Sequence, residues 1–560
     1  MDFKSQLITL LAAATSLSPE EITPLVTIPP NRQFGDYAFP CFKLGNNSRE
    51  EAEKLQQKLQ LPLFIAKTQV VGPYLNFFLD QSVLAAEILT KISKEKGKYG
   101  AGKNKKKIVI EYCGPNTNKP LHLGHLRNMS LGNAVCRILA FQGNAVHPVN
   151  IINDRGIHIC QSMLAYQKWG KNKKPDKKGD HFVGDYYVLF ATAAKENENL
   201  KKEAQELLLK WERNDTKTKA LWKTMTHWVL QGFRQTYRRF GIKFEKEYFE
   251  SKYYQKGKEM VQEGLQKKVF EKDHTNAVLA PLEKYRLPNK ILLRGDETSL
   301  YITQDLYLAQ LRYQDFKYDK MIYVVASEQH LHFQQLFKIL ELLGRRYAQS
   351  LYHLSYGLVN LPTGRMKSRE GTVVDADDLM DEISSLAKQE VEKRYPALSE
   401  KEKQYRAEFI SLGAIKFFLT RTDAVRDMIF NPEESISFDG ETGPYLQYTH
   451  ARASSILRKA GKVTGKRNFT LLSQSQEQAL IALLSQFPGK VQEAAHTYKP
   501  HVLCHYLIEL AQAFNEFYHA LPVISDDKEL MKARLLLVES VRQVLANGLD
   551  LLGIYAPKEM

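Results

Sequence analysis

The stretch KIVIEYCGPNTNKPLHLGHLRN, Lys107 to Asn128, decides the fold. Its apolar, β-branched opening, KIVIEYC, reads as a strand. GPNTNKP is a turn, rich in chain-breaking glycine, proline and asparagine. A helix follows from about Leu121 to Phe141, Gly143 closes it, and VHPVNIIN (Val146 to Asn153) is the next strand. Strand, helix and strand in that order make a βαβ unit, the start of a doubly wound parallel sheet. Such sheets bind ligands where strand hands over to helix, which points to this same turn. His122 and His125 are three apart and share a face of the first helical turn. The helix N-terminus adds unpaired N–H groups and partial positive charge. Gly124 removes a side chain where a flat base could approach, and Lys119 adds a cation. The ensemble suits a triphosphate with an adenine stacked beside it. Two plainer readings compete: histidines that only cap a helix or face water, and a metal pair, which no nearby acid or cysteine completes. The common phosphate loops, G-x-x-x-x-G-K-[ST] and G-x-G-x-x-G, are absent.

Outward from this unit the chain divides into three. Residues 1–100 read as a small α+β unit: an amphipathic helix on Phe3, Leu7, Leu10, Leu11 and Ala14, a Ser18-capped turn at SPEE, and a strand or hairpin arm at QVVGPYLNFFL. KEKGKYGAGKNKKK (Lys94 to Lys107) reads as a linker. Residues 101–388 carry the α/β domain, interrupted at about 161–290 by a helical, charged insertion, with strands returning at KILLRG, MIYVVAS and LYHLSYGLVN. Residues 389–560 read as a helix bundle.

Composition narrows the function. The 560 residues hold 79 Lys and Arg against 63 Asp and Glu, a net charge of +16, which favours a polyanionic partner such as nucleic acid. Five scattered cysteines without a CxxC pair argue against a disulfide framework and a structural zinc ribbon. No apolar run reaches the roughly 18 residues of a membrane span. Asp2, Lys4 and Thr9 break the pattern of a signal peptide. A cytoplasmic protein is expected, and with no heptad seam, a monomer.

The motifs agree with one family. HLGH resembles the HIGH motif of class I aminoacyl-tRNA synthetases, and the whole string EYCGPNTNKPLHLGHLRN resembles that of arginyl-tRNA synthetases. GRMKSREGTVVDADDL (Gly364 to Leu379) stands where that family carries its KMSKS-like loop. TSLYITQDL, YVVASEQHLHFQQL, ETGPYLQYTHARASSILRK and NGLDLLGIYAPKEM match later segments in order, and GDYAFP and VGPYLNFFL resemble the family's N-terminal domain. The sequence departs from the family at RMKSR, with Lys367 its one lysine, at Glu328 in place of Asp, and at GDETSLY.

The resemblance implies a Rossmann-type catalytic domain with a helical insertion, an N-terminal domain that meets the tRNA elbow and a C-terminal all-α domain that binds the anticodon. The implied reaction joins L-arginine to tRNA(Arg) with ATP and its Mg²⁺. His122, His125, Lys119 and Lys367 are implied to stabilise the phosphates, Lys119 compensating for the loop's missing lysine. Gly124, Glu328 and His332, with Arg365, Met366, Ser368 and Arg369 of the loop, are implied ATP contacts. Glu111, Asn116, Tyr301, Asp305 and Gln329 map onto the arginine pocket. Tyr301 and Asp305, four apart on a helical segment, can face one pocket, and Asp305 is the expected guanidinium partner. Tyr74 and Asn76 map onto the tRNA elbow contact, and Tyr445, Tyr448, Tyr518 and Met560 onto the anticodon contact. By periodicity alone those tyrosines would be helix core. Three other readings are a synthetase for a different amino acid, an RNA-binding relative without catalysis, and a nucleotidyltransferase without tRNA domains. Acidic pocket residues, the intact HLGH and the large helical C-terminus argue against them in turn.

Overall fold

A computed structural model describes residues 3–29, 31–296, 298, 300–360, 362, 374–461 and 465–560. At its centre lies a five-stranded parallel sheet in the order Leu351–Tyr356, Lys320–Ala326, Lys107–Glu111, Ala145–Ile152, Lys246–Phe249. The chain enters at the middle strand, steps outward twice, then jumps back to the other side. The reversal falls between Lys107–Glu111 and Lys320–Ala326, so the crevice for a ligand lies beyond Glu111 and Ala326. Val109 and Ile110 of the middle strand are fully buried between helices on both faces.

The insertion differs from the sequence reading. Its helices are Ile157–Trp169, Gly179–Glu196, Asn199–Glu212 and Thr216–Phe240, but KEYF (Lys246–Phe249) then returns to the parallel sheet as its edge. KILLRG does not join that sheet: Lys290–Leu293 pairs antiparallel in a separate three-stranded sheet with Val278–Ala280 and Glu271–Lys272. Four residues with one fully buried side chain, Tyr248, leave too little alternation to mark an edge strand.

The N-terminal unit has a three-stranded antiparallel sheet with Tyr74–Leu79 central, covered by helices that include Phe3–Ala14 and Ser48–Lys58. The segment after it is no loose tether. Tyr99, 1% exposed, donates to the Leu484 carbonyl at 2.9 Å and stacks on Phe487, and Asn547 donates to the Lys96 carbonyl at 3.0 Å. One aromatic among lysines and glycines docks this stretch on the helix bundle. The bundle itself is built from Glu400–Thr420, Gly443–Ala460, Ser475–Thr497, His501–Ala520 and Lys528–Leu551. Helix Ala376–Arg394 runs across residue 388 and packs on the first of these. Arg127, fully buried on the helix of the HLGH motif, donates to the carbonyls of Leu358 (2.9 Å), Ala424 (3.1 Å) and Arg426 (2.6 Å). It ties that helix to the entry of the bundle.

Candidate active site

His122 is the N-cap of helix Leu123–Phe141 and His125 its third residue. The two cap reciprocally: Gly124 N–H donates to His122 Nδ1 at 3.1 Å, and His122 N–H donates to His125 Nδ1 at 3.2 Å. A Cβ on residue 124 would lie 2.9 Å from the His122 ring, so glycine is what lets the ring fold back over the turn. With each Nδ1 accepting, the ring proton of each belongs on Nε2. Burial, with Lys119 nearby, pushes the His122 imidazole down to about 3 and His125 well below its usual range. The pair is therefore neutral before any anion arrives, and presents two N–H donors rather than two charges. Lys119 and His122 line one small cleft of about 180 Å³.

The HLGH turn is pinned from the side. Leu123 N–H donates to the Val374 carbonyl (3.1 Å) and Ala376 N–H to the Leu121 carbonyl (3.0 Å). Residue 374 lies a few residues beyond the RMKSR segment; Arg365, Met366, Lys367, Ser368 and Arg369 lie outside the described residues. Nearby, Asp180, His181 and Asp377 converge as metal ligands could. Lys178 already fills the centre, 2.9 Å from Asp180, 2.5 Å from Asp377 and 2.6 Å from Thr236, so the cluster is neutralised from within.

A cavity of about 650 Å³ opens at the sheet's switch point. Asn116, Tyr301, Asp305, Gln329 and His332 all line it. His332, expected beside ATP, lines this cavity too and donates from Nε2 to Asp305 at 2.8 Å. Tyr301 is 72% exposed at its mouth, and Glu328 is exposed on the neighbouring short turn. Glu111 departs from expectation. It is buried at the end of the middle strand and bonded to Arg312, which is held between the rings of Tyr248 (5.2 Å) and Tyr323 (5.6 Å). A carboxylate so enclosed needs its own cation, and Glu111 does not line the cavity.

Among the lining residues that were not singled out from sequence are Glu250 and Arg155. Burial pushes the Glu250 carboxyl up to about 7; its nearest cation, Arg155 Nη1, is 3.8 Å away. Arg155 is itself bonded to Glu212 and stacked on Tyr254 at 4.0 Å. Glu250 directly follows the edge strand Lys246–Phe249, the position where open sheets carry functional residues. Recognising that strand would have found it.

In the bundle, Tyr448, Tyr518 and Met560 line a second cavity of about 500 Å³. Arg452 stacks between Tyr448 (4.7 Å) and Tyr518 (5.3 Å) and donates to Asn515 at 2.7 Å. Tyr445 is not among that cavity's lining residues; it reaches the group indirectly, accepting from Asn515 at 2.8 Å. In the N-terminal unit Tyr74 is 41% exposed while Asn76, two residues on, is only 3% exposed. Both lie on the central strand with partners on either side, Tyr74 at its start and Asn76 further in, and Tyr74 alone of the pair is presented.

Comparison with known proteins agrees with this geometry. The family described as "tRNA synthetases class I (R), catalytic domain" matches residues 88–432. The "Arginyl tRNA synthetase N terminal domain" matches 2–79 and the "DALR anticodon binding domain" 446–560. A switch-point sheet opened by a reciprocal histidine cap, under that match, defines a class I aminoacyl-tRNA synthetase. The arginine–tRNA ligase of Treponema denticola is 44% identical over 558 residues, covering 96% of this chain and 94% of the relative. That of Bacteroides thetaiotaomicron is 42% identical over 553 residues, covering 93% and 92%. The solved arginyl-tRNA synthetase of Thermus thermophilus superposes with a TM-score of 0.85 at 29% identity, with 100% of both chains covered. The chain belongs to the arginyl-tRNA synthetase family.

Proposed function

We propose that this chain is an arginine–tRNA ligase working in two steps. An arginine carboxylate oxygen attacks the α-phosphorus of ATP; the bond to the bridging oxygen breaks, giving arginyl-adenylate and pyrophosphate. The 2′-hydroxyl of the terminal adenosine of tRNA(Arg) then attacks the acyl carbon, and AMP leaves with the electron pair. No enzyme-bound intermediate is needed, so the work is positioning and charge stabilisation. His122 and His125 offer Nε2–H donors to the phosphates, and Lys119 supplies a fixed cation. Lys367, with Arg365, Met366, Ser368 and Arg369, is assigned to the triphosphate, as are Gly124 and Glu328. Mg²⁺ arrives on the ATP phosphates.

Arginine occupies the 650 Å³ cavity. Asn116 and Gln329 hold its backbone groups, Tyr301 covers the mouth, and Asp305 and Glu250 take the guanidinium, whose five donors suit two acids. That pair of acids opening beside the histidine turn carries the reading. Residues 1–100 with Tyr74 meet the tRNA elbow, and residues 389–560 with Tyr448, Tyr518 and Met560 receive the anticodon, Tyr445 supporting them. The enzyme acts in the cytoplasm as a monomer. The test is pyrophosphate exchange with each amino acid, with and without tRNA. Exchange is expected with arginine and no other amino acid, and only with tRNA present. Exchange driven by another amino acid overturns the substrate, and exchange without tRNA overturns the tRNA requirement.

A further inference from the structure

Arg155 stands in the wall of the cavity that is to receive an arginine, yet what restrains it lies outside that cavity. It follows the strand Ala145–Ile152, and its side chain is 15% exposed. One nitrogen, Nη2, is bonded to Glu212, the last residue of insertion helix Asn199–Glu212. The guanidinium lies 4.0 Å from the centre of the Tyr254 ring. Nη1 stands 3.8 Å from Glu250, and Nε has no hydrogen-bond partner among the described residues. Arg155 thus has donors to spare close to the carboxylate assigned to the ligand. Glu212 does not line the cavity. Its place is set by its neighbour Trp211, fully buried, whose ring meets Trp222 edge-on at 5.4 Å and carries the Lys219 ammonium at 3.1 Å. Trp222 in turn donates to the Asp154 carbonyl at 2.6 Å, so the insertion grips this turn at both Asp154 and Arg155. The side chain of Arg155 and that of the ligand offer the same five donors, so the internal one competes wherever geometry lets it. A pocket partly filled by its own wall loses apparent affinity in proportion to the fraction of sites left open.

We propose that Glu212 is a positioning residue: by holding Arg155 back, it keeps Glu250 available to the incoming arginine. The inference rests on the reading that Glu250 takes the ligand's guanidinium. The test is a double-variant cycle of Glu212→Gln and Arg155→Gln, with arginine binding read by calorimetry at pH 6 and pH 8 and melting as the control for folding. Glu212→Gln lets Arg155 close on Glu250, so apparent affinity at pH 8 should fall on the order of tenfold. In the Arg155→Gln background the same substitution should change affinity by less than about twofold, because no competitor remains. The groups acting on Glu250 are Arg155, Asp154, Asp305 and Gln304. With Arg155 closed on it, the carboxyl stays ionised to lower pH, so the loss caused by Glu212→Gln should shrink from pH 8 to pH 6. Parental affinity in Glu212→Gln overturns the proposal. So does an equal loss in both backgrounds, which would make Glu212 a structural contact only. If Glu212→Gln melts early, Tyr254→Leu, which removes the ring that Arg155 stacks on, carries the same cycle with the same signs. Glu250→Gln separates this inference from the reading beneath it. Parental arginine affinity in that variant sinks the pocket assignment and the inference with it, whereas weakened binding there beside parental binding in Glu212→Gln sinks the role of Glu212 alone.

Discussion

Arginine binding should strengthen as pH rises through neutrality, because of Glu250. Burial holds its carboxyl up at about 7; Asp154 and Asp305 add repulsion, while Arg155 and Gln304 oppose it. The ligand's guanidinium stays charged throughout, so it gains from the carboxylate and nothing from the acid. Near pH 7 the free site is therefore about half protonated, and arginine must displace that proton. Well above pH 7 the site is ionised and affinity is flat. Below it, each pH unit costs about tenfold, or ~1.4 kcal/mol. At pH 6 roughly one molecule in eleven carries the carboxylate, so affinity should fall about tenfold between pH 8 and pH 6. Calorimetry at pH 7 in two buffers of different ionisation enthalpy should show about half a proton released per arginine bound. Glu250→Gln should bind arginine more weakly and without this slope. A parental affinity that is flat from pH 6 to 8, or a slope that survives in Glu250→Gln, would refute the assignment of that proton to Glu250.

Asp305→Asn keeps the cavity's shape but turns an acceptor into an amide that also donates. Its side chain is 30% exposed and Glu250 remains, so the lower part of the usual ~2–5 kcal/mol applies: about 2–3 kcal/mol, or ~30–150-fold in arginine affinity. Competition against citrulline should show weakened discrimination; parental affinity and parental rejection of citrulline would remove Asp305 from the role. His125→Asn should slow adenylate formation on the order of 100-fold with ATP affinity little changed, as when one preorganised donor is lost. Pyrophosphate exchange checks it, and turnover within a few-fold of the parent would make His125 only a cap. Tyr74→Ala, at an exposed site, should raise the Michaelis constant for tRNA by about one to two decades while arginine binding and melting stay unchanged; unaltered tRNA kinetics would leave Tyr74 without an RNA contact.

The parallel sheet was legible because KIVIEYC and VHPVNIIN are long apolar runs on either side of a capped helix. The edge strand KEYF was not, since only Tyr248 of its four residues is fully buried. Missing that strand also hid Glu250, the next residue along the chain. The docking of the Lys94–Lys107 stretch was hidden for a related reason: its composition is that of a linker, and one ring, Tyr99, decides where it goes. Asn116, Tyr301, Asp305 and Gln329, grouped by motif, do meet in one cavity, because motif order and spacing survive in sequence. Motifs could not give the protonation of His122 and His125, which depends on which ring nitrogen accepts a backbone N–H.

Glu111 and Glu250 show why counting acids near a motif does not locate a cation pocket. Both follow or end a strand of the same sheet, and both are nearly inaccessible. Glu111 ends the middle strand, flanked on both sides, where an unpaired charge would have neither water nor protein to stabilise it. The fold answers with Arg312 from helix Tyr301–Phe316, the helix that also carries Asp305, and the pair closes on itself between two tyrosine rings. Glu250 follows the edge strand, where one side of the sheet is open and the cavity begins. Its nearest cation is 3.8 Å off and is already bonded to Glu212, so its carboxyl keeps a proton near neutrality until a better partner arrives. A guanidinium entering the cavity is such a partner. On the proposed reading, the same residue type, two strands apart, is structural in one place and receptive in the other, and the difference is whether the fold has already set an arginine of its own against it.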